Sequence, residues 1–282
     1  GCENFCTYCI VPYVRGKLIS FPSDRILKFI EEAVHSGVTE ISLLGQNVNQ
    51  YGLDSGDIPF WRLLDKAALI KGLVRVNFLT YHPMDFNDEI IKVIAGNPVI
   101  SRGIHLPLQS GSDRVLEMMN RRYTINRYHE IIDSMRRLIG DFGISTDLIV
   151  GFPGETPDEF NATLEAVRKI RFDSAFMYAY SPREGTPSFS LREEITRDEK
   201  IARLNELIYI QREISLEKLK SRINKTEMAI ADKVSKKSGS ELTGRTALNH
   251  FVVFKGDNND IGKESPIRIL DVRGSTLVAE KI

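Results

Sequence analysis

The three cysteines of this 282-residue chain are Cys2, Cys6 and Cys9, and the other 273 residues contain none. Thiols at the spacing Cys2-x3-Cys6-x2-Cys9 can converge on one inorganic centre, and Gly1, Asn4 and Thr7 allow the segment to curl. An odd number crowded into nine positions is no disulfide framework, which would be paired and spread along the chain. A reducing compartment and a metal site fit better. Zinc in a closed structural site takes four ligands. His35 and His82 could complete such a set from elsewhere, but neither has the short spacing of zinc modules. Three thiolates without a fourth fit a cubane 4Fe-4S cluster whose fourth iron is left open. That iron can be chelated by the amino and carboxylate groups of an amino-acid cosubstrate, bringing a sulfonium within reach of an electron from the cluster.

The elements that must position such a site are legible in the hydrophobic pattern. Residues 24–36 carry Ile26, Leu27, Ile30, Ala33 and Val34 at helical spacing, Gly37 ends the segment, and residues 40–44 read as a buried strand. The same grammar recurs as helix and strand at 60–68 and 74–79, 88–95 and 103–107, 125–139 and 144–150, and 157–170 and 174–180. Repeated units of this kind predict a parallel sheet with helices outside. Each strand runs into a polar or glycine-rich loop, at 45–49, 80–83, 109–112, 151–155 and 181–187. Ligands of α/β folds bind at the carboxyl ends of the strands, so these loops and the cysteine segment are expected to build the site.

Residues 196–222 read as one long charged amphipathic helix, with Ile201, Leu204, Leu207, Ile208 and Ile214 on the side that packs on the core. After Asn224 the period changes to short alternating or β-branched runs at 226–232, 241–245, 250–255, 265–272 and 276–281, which predict a five-stranded antiparallel barrel. The expected division is therefore 1–221 and 222–282. With 38 basic and 38 acidic side chains the chain is no globally basic nucleic-acid binder. From Arg222 onward, eleven basic residues face eight acidic ones, so nucleic-acid contact would have to be local. No apolar run approaches the roughly 18 residues of a membrane span. A start at Gly1, with no signal segment after it, reads as a piece of a longer protein.

The segment Gly1-Cys-Glu-Asn-Phe-Cys-Thr-Tyr-Cys-Ile-Val-Pro-Tyr-Val-Arg-Gly16 resembles the signature of the radical S-adenosylmethionine enzymes, specifically the methylthiotransferases. Leu43-Leu-Gly-Gln-Asn-Val-Asn49, His82-Pro83, Leu106-Pro-Leu-Gln-Ser-Gly-Ser-Asp113 and Asp147-Leu-Ile-Val-Gly-Phe-Pro-Gly-Glu-Thr156 continue the likeness. Ser181-Pro-Arg-Glu-Gly-Thr-Pro187 and Gly244-Arg-Thr246 extend it to the tail. The resemblance implies an α/β fold, a partial (β/α) radical-SAM barrel with parallel strands that lacks its first strand, followed by a small OB-like TRAM barrel that grips RNA. It implies that Cys2, Cys6 and Cys9 ligate the iron, with Tyr8 near the adenine of S-adenosylmethionine and the Gly45-Gln46 loop beside its methionine part. Gln109, Ser110 and Ser112 would offer hydrogen bonds, Asp147 would contact the ribose, and the turn from Gly151 to Gly154 would meet the adenine. That turn also reads as helix entry, since Thr156, Pro157 and Glu159 suit a helix cap. Arg183 and Arg15 would lie near a cosubstrate carboxylate or substrate phosphates. Lys233, Lys236, Lys237, Arg245 and Lys255 would line an RNA-binding face.

The chemistry implied by the resemblance is addition of a methylthio group to C2 of an N6-isopentenyl-adenosine at position 37 of the tRNA anticodon stem-loop. It calls for a one-electron reductant such as a flavodoxin or ferredoxin system, in the cytoplasm. No acid-base residue is assigned, His82 and His105 included, because radical abstraction requires none. A second 4Fe-4S cluster is expected only in an N-terminal domain outside this chain, so that the chain alone would not complete methylthiolation. The alternatives are methylthiolation of N6-threonylcarbamoyladenosine in tRNA or of an aspartate in a ribosomal protein, and a non-enzymatic RNA-binding protein with a structural metal site.

Overall fold

A computed structural model describes residues 1–79, 82–236 and 238–282. Two parts of the expectations, Lys237 and the Thr80-Tyr81 start of one strand-end loop, lie outside the described residues. The first 220 residues form eight α-helices and five parallel strands among the described residues. The strands are β1 (Glu40–Leu43), β2 (Arg75–Phe78), β3 (Gly103–His105), β4 (Gly143–Val150) and β5 (Ser174–Ala179). They hydrogen-bond as two sheets, β1-β2 and β3-β4-β5, linked by the single parallel bridge from Val76 to Ile100. The expected parallel sheet is thus present as a partial barrel in two pieces. Its helices are α1 (Val11–Arg15), α2 (Ser23–His35), α3 (Phe60–Ala68), α4 (Asp88–Gly96), α5 (Asp113–Met118), α6 (Ile125–Leu138), α7 (Pro157–Ile170) and α8 (Arg197–Lys220).

Strand β4 shows how the sequence sorts its two faces. Ile144, Thr146, Leu148 and Val150 are buried against the helices, while Ser145, Asp147 and Ile149 look into the half-open lumen. The alternation is what a pleated strand imposes, and the one polar residue on the buried side is satisfied: Thr146 Oγ1 donates to the Leu106 carbonyl at 2.9 Å and accepts from Leu108 N–H at 2.8 Å. Helix α7 starts where the cap residues predict. Thr156 and Glu159 form a reciprocal capping box with Pro157 in the first turn, which satisfies backbone donors that a helix start leaves open.

Helix α8 departs from the expected face. Leu207 and Ile214 are buried, but Ile201 is 44 % exposed and its place on the inner side is taken by Lys200 and Arg203. Charged residues can occupy that side because carboxylates outside the helix neutralise them: Arg203 pairs with Glu155 at 2.8 Å and Lys200 with Glu193. Gln211, also buried, donates to the Phe172 carbonyl at 2.8 Å.

The tail is a closed barrel of β6 (Thr226–Val234), β7 (Glu241–Thr246), β8 (Phe251–Lys255), β9 (Glu264–Arg273) and β10 (Thr276–Lys281), in the order β10-β8-β7-β6-β9. Leu242, Val252, Phe254, Ile267, Ile269 and Leu277 fill it. The expectation of a wholly antiparallel barrel is corrected at one seam, where β10 runs parallel to β8. The reason is arithmetic: five strands in a closed ring cannot all alternate in direction, so one neighbouring pair must agree.

The barrel docks on the amino-terminal ends of the parallel strands. Arg75, at the start of β2, donates to the carbonyls of Arg245 and Thr246 at 3.1 and 3.2 Å and pairs with Glu264 at 3.0 Å. His250 meets Asp173 at 3.0 Å, and Arg102 N–H donates to the Ala247 carbonyl at 3.0 Å. Glycine is required at this seam for closeness of approach. A Cβ on Gly143 would stand 2.3 Å from the Leu248 carbonyl oxygen, and one on Gly103 would stand 2.2 Å from Asn249 Cβ. No helix among the described residues is long and apolar enough to cross a membrane.

Candidate cofactor site

The cysteine loop lies at the carboxyl ends of the strands, gripped by the segment that follows α5. Thr7 N–H donates to the Met119 carbonyl at 3.1 Å, and Thr7 Oγ1 to the Met118 carbonyl at 2.8 Å. Asn120 Nδ2 donates to the carbonyls of Asn4 and Phe5 at 3.1 and 2.9 Å. A tight turn brings Cys9 N–H to the Cys6 carbonyl at 2.9 Å, and Phe5 adopts φ 48°, a left-handed conformation uncommon for a bulky side chain. The loop after β5 closes the other flank, with Ser188 N–H donating to the Thr7 carbonyl at 2.9 Å.

Cys6 is buried, and Cys2 and Cys9 are partly so. Burial pushes the Cys2 and Cys9 thiols up, and the neighbouring Cys6 raises both further; Arg183 partly offsets this at Cys9. Cys2 and Cys9 are each within electrostatic reach of Cys6. A cationic centre would reverse that logic, since it binds thiolates and releases their protons. Among the described residues no three His, Cys, Asp or Glu side chains converge on a position for one metal ion. His35 stands exposed at the end of α2, its Nδ1 2.7 Å from the Glu31 carbonyl oxygen. His82 is buried, with Nδ1 accepting from Met84 N–H at 3.3 Å. Neither completes a closed zinc tetrahedron with the thiols.

Around the loop, polar atoms are buried without partners. They are Asn47 Oδ1, both amide atoms of Asn49, His82 Nε2 and Gln109 Oε1, all just beyond β1, β2 and β3. Native proteins leave few such groups, and a polar ligand would satisfy them. Hydrogen bonds tie the rim to the cysteine loop: Gln50 Nε2 donates to Asn4 Oδ1 at 3.2 Å, and Arg121 bridges the Cys6 sulfur at 3.4 Å and the Pro107 carbonyl at 3.1 Å. Gln109 itself sits at φ 71°, a left-handed conformation held by ladder bonds to Asp147 and Ile149. Strain of that kind persists where the surroundings over-determine it. The donor set therefore fits both groups: three thiols and no fourth for an iron–sulfur cluster with an open iron, and an unsatisfied polar rim for S-adenosylmethionine beside it.

The residues singled out by sequence fall into different settings. Tyr8 packs on an apolar satellite of Val115, Met119, Phe152 and Tyr180, where burial pushes its phenol up. Gly45 and Gln46 are exposed, and Gly45 lies near Val48 with a negative φ, so no left-handed turn requires it. Asp147 faces the lumen 3.3 Å from His105 Nε2, and His105 stacks edge-on against Phe176. Ser110 is fully buried against Thr163, and Ser112 caps α5 while donating to Glu159 at 3.0 Å, so both hold the scaffold together. Gly151 and Gly154 have φ of 70° and 80°, and the Gly151 N–H is already donated to Glu155 at 2.7 Å. Arg15 and Arg183 are exposed, Arg183 within electrostatic reach of Cys9.

On the barrel, Lys233, Lys236 and Lys255 are exposed. Arg245 is separated from them toward the other end of β7. There it stacks on Phe251 at 3.4 Å, donates to Asn249 Oδ1 at 2.9 Å, and lines an 800 Å³ cavity with Glu40, Asn77, His105 and Phe176. Sequence reasoning missed Asn120 and Arg121, which hold the cysteine loop, and Tyr123, which supports Arg121; adjacent polar residues after a short helix carry no periodic signal of burial.

Residues 1–167 match the family described as the Radical SAM superfamily. Over its whole length the chain is 43 % identical to the tRNA-2-methylthio-N(6)-dimethylallyladenosine synthase of Thermoanaerobacter pseudethanolicus, covering 60 % of that protein. It is 42 % identical to the protein of the same name from Clostridium botulinum (strain Okra), covering 63 %. The chain thus spans about three fifths of the length of these curated relatives. Among solved structures it is similar to the radical S-adenosylmethionine methyltransferase TsrM from Kitasatospora setae. That likeness has a TM-score of 0.53 and 16 % identity over 67 % of this chain and 34 % of the other. It is also similar to coproporphyrinogen III oxidase from Escherichia coli, with a TM-score of 0.51 and 13 % identity over 87 % of this chain and 64 % of the other. Such low identity speaks to the fold alone.

Proposed function

The chain belongs to the radical SAM superfamily, and from that premise we propose that it is the catalytic and RNA-contacting portion of an enzyme that adds a methylthio group to C2 of N6-dimethylallyladenosine in tRNA. One observation carries the proposal. The three clustered thiols stand beside an unsatisfied polar rim at the carboxyl ends of the strands, in a chain 43 % identical along its whole length to proteins named for that reaction. Residues 222–282 are assigned to RNA and residues 1–221 to the chemistry.

Cys2, Cys6 and Cys9 would hold the cluster. When bound, the cluster and S-adenosylmethionine supply one-electron cleavage of a sulfonium and, through it, hydrogen abstraction from carbon. An adenine C2 lies between ring nitrogens and is no nucleophile, which is why functionalising it calls for such chemistry. The chain's own residues bind and orient. Asn47, Asn49, His82 and Gln109 offer hydrogen bonds to the cosubstrate, Asp147 is held toward the lumen by His105, and Arg183 stands near the loop as a partner for a carboxylate. Tyr8 and the turn from Gly151 to Gly154 form an apolar wall suited to adenine. Lys233, Lys236, Lys255 and Arg245, with Arg15, would meet the phosphate backbone of an anticodon stem-loop. A one-electron reductant such as a flavodoxin or ferredoxin, in the cytoplasm, completes the scheme.

The test has two parts. Anaerobic reconstitution of the chain should give close to four iron and four sulfide per chain and, after reduction, cleavage of S-adenosylmethionine to 5'-deoxyadenosine. Mass spectrometry of tRNA and ribosomal proteins from a deletion strain should then show loss of the 2-methylthio group from N6-dimethylallyladenosine. Loss from the threonylcarbamoyl nucleoside or from a ribosomal aspartate instead would overturn the substrate assignment. Zinc in place of iron and sulfide would overturn the chemistry.

A further inference from the structure

Four arginines are buried among the described residues, and three of them answer a carboxylate. Arg75 pairs with Glu264, Arg203 with Glu155 and Glu199, and Arg222 with Glu227 and Asp141. Arg121 is 5 % exposed, and among the described residues it reaches no acidic side chain. Its Nε donates to the Tyr123 hydroxyl at 3.2 Å, its Nη2 to the Pro107 carbonyl at 3.1 Å and its Nη1 to the Cys6 sulfur at 3.4 Å. A guanidinium cannot shed its charge, and burying it without an anion is costly. Two of its three partners, a carbonyl and a hydroxyl, are neutral dipoles. The third is the sulfur assigned above as a cluster ligand.

We infer that Arg121 is a positioning residue for the iron–sulfur cluster, whose hydrogen bond to the Cys6 sulfur fixes that ligand in place and raises the cluster's reduction potential. The inference rests on the cluster assigned above to the cysteine loop. The physical warrant is that donors to ligand sulfur, and the net charge around a cluster, set its potential. A positive charge beside the sulfur favours the reduced, more negative state. The backbone around Arg121 supports the role, because Met119 and Asn120 clasp the loop on both sides of Cys6, through Thr7 and through Asn4 and Phe5. The guanidinium is thereby held at a set place against the sulfur.

The experiment compares the anaerobically reconstituted full chain with Arg121→Gln and Arg121→Lys, reading iron and sulfide content, thermal melting, and the cluster midpoint from a redox titration followed by electron paramagnetic resonance. With Arg121→Gln, at wild-type iron content, the ratio of reduced to oxidised cluster at a fixed potential should fall about tenfold, equal to about 59 mV for one electron. Arg121→Lys, which keeps the charge but loses the fork, should lie between the two. A folded Arg121→Gln chain that loses its cluster, beside an Arg121→Lys chain that keeps it, also supports the inference. If Arg121→Gln does not fold, the lysine variant decides: a folded chain with a midpoint below wild type supports the role. Midpoints equal to wild type in the variants that fold, or failure of both variants to fold, would reduce Arg121 to a structural bridge and overturn it. A wild-type chain that takes up no iron and sulfide would instead defeat the cluster assignment itself, a separate and recognisable outcome.

Discussion

Replacing Glu159 by Gln keeps the size of the side chain and removes the charge that ties the starts of α5 and α7 together on the carboxyl-end face. Arg114 Nε donates to Glu159 Oε1 at 2.7 Å and Nη2 to Oε2 at 2.7 Å; Ser112 Oγ donates at 3.0 Å and Thr156 N–H at 2.8 Å. These donors, led by Arg114, pull the carboxyl from 4.5 down to about 2 although partial burial opposes them. At 1.36 kcal/mol per pH unit, that difference is worth about 3.4 kcal/mol. The Arg114 side chain is 52 % exposed, so solvent screening brings the figure to about 2 kcal/mol. For a chain of this size the melting temperature should drop by about 4–8 °C at pH 7. The sign follows from the lowered value: the stabilisation is full above pH 4.5 and fades as pH falls toward 2, with roughly 60 % gone by pH 3. Melting of the metal-free wild type and variant, followed by circular dichroism from pH 7 to pH 3, checks both statements. Equal melting temperatures at pH 7, or a gap of undiminished size at pH 3, would refute the reasoning.

Three further outcomes follow from the same geometry. Arg203→Met leaves the fully buried Glu155 carboxylate without its 2.8 Å partner and should cost about 3–5 kcal/mol in urea unfolding; a loss under 1 kcal/mol would mean the pair is dispensable. Gly143→Ala drives a methyl group against the Leu248 carbonyl, so it should loosen the His250 and Arg102 hydrogen bonds at a cost of about 2 kcal/mol. Amide exchange at residues 247–250 should quicken, and unchanged exchange there would count against the docking. Lys233→Ala should weaken binding of an anticodon stem-loop about equally across sequences and lower the slope of log Kd against log salt by about 1; an unchanged slope would remove Lys233 from the RNA surface.

The parts of this protein visible in its sequence are those whose cause is local. Three clustered cysteines can be counted, the alternation of β4 can be read, and Thr156-Pro157 with Glu159 writes a helix start in four positions. The parts that were hidden depend on partners far along the chain. Arg203 and Gln211 occupy the inner side of α8 because Glu155 and the Phe172 carbonyl, 48 and 39 residues away, meet them there, and no hydrophobic period can announce that. Arg121 and Arg122 stand side by side, yet one is buried against a sulfur and the other exposed; only the third dimension tells them apart. Gly103 and Gly143 are single glycines at strand starts, and their meaning lies in a loop more than a hundred residues later.

The placement of the barrel sets a minimum size for whatever engages the whole protein. It sits on the starts of the strands, whereas the thiols lie beyond their ends, and the eight residues of β4 between them amount to about 26 Å at roughly 3.3 Å each. A free nucleoside is too short to touch both places at once. A ligand that touches both places has to span that length, so reach as well as chemistry limits what can engage the two ends together.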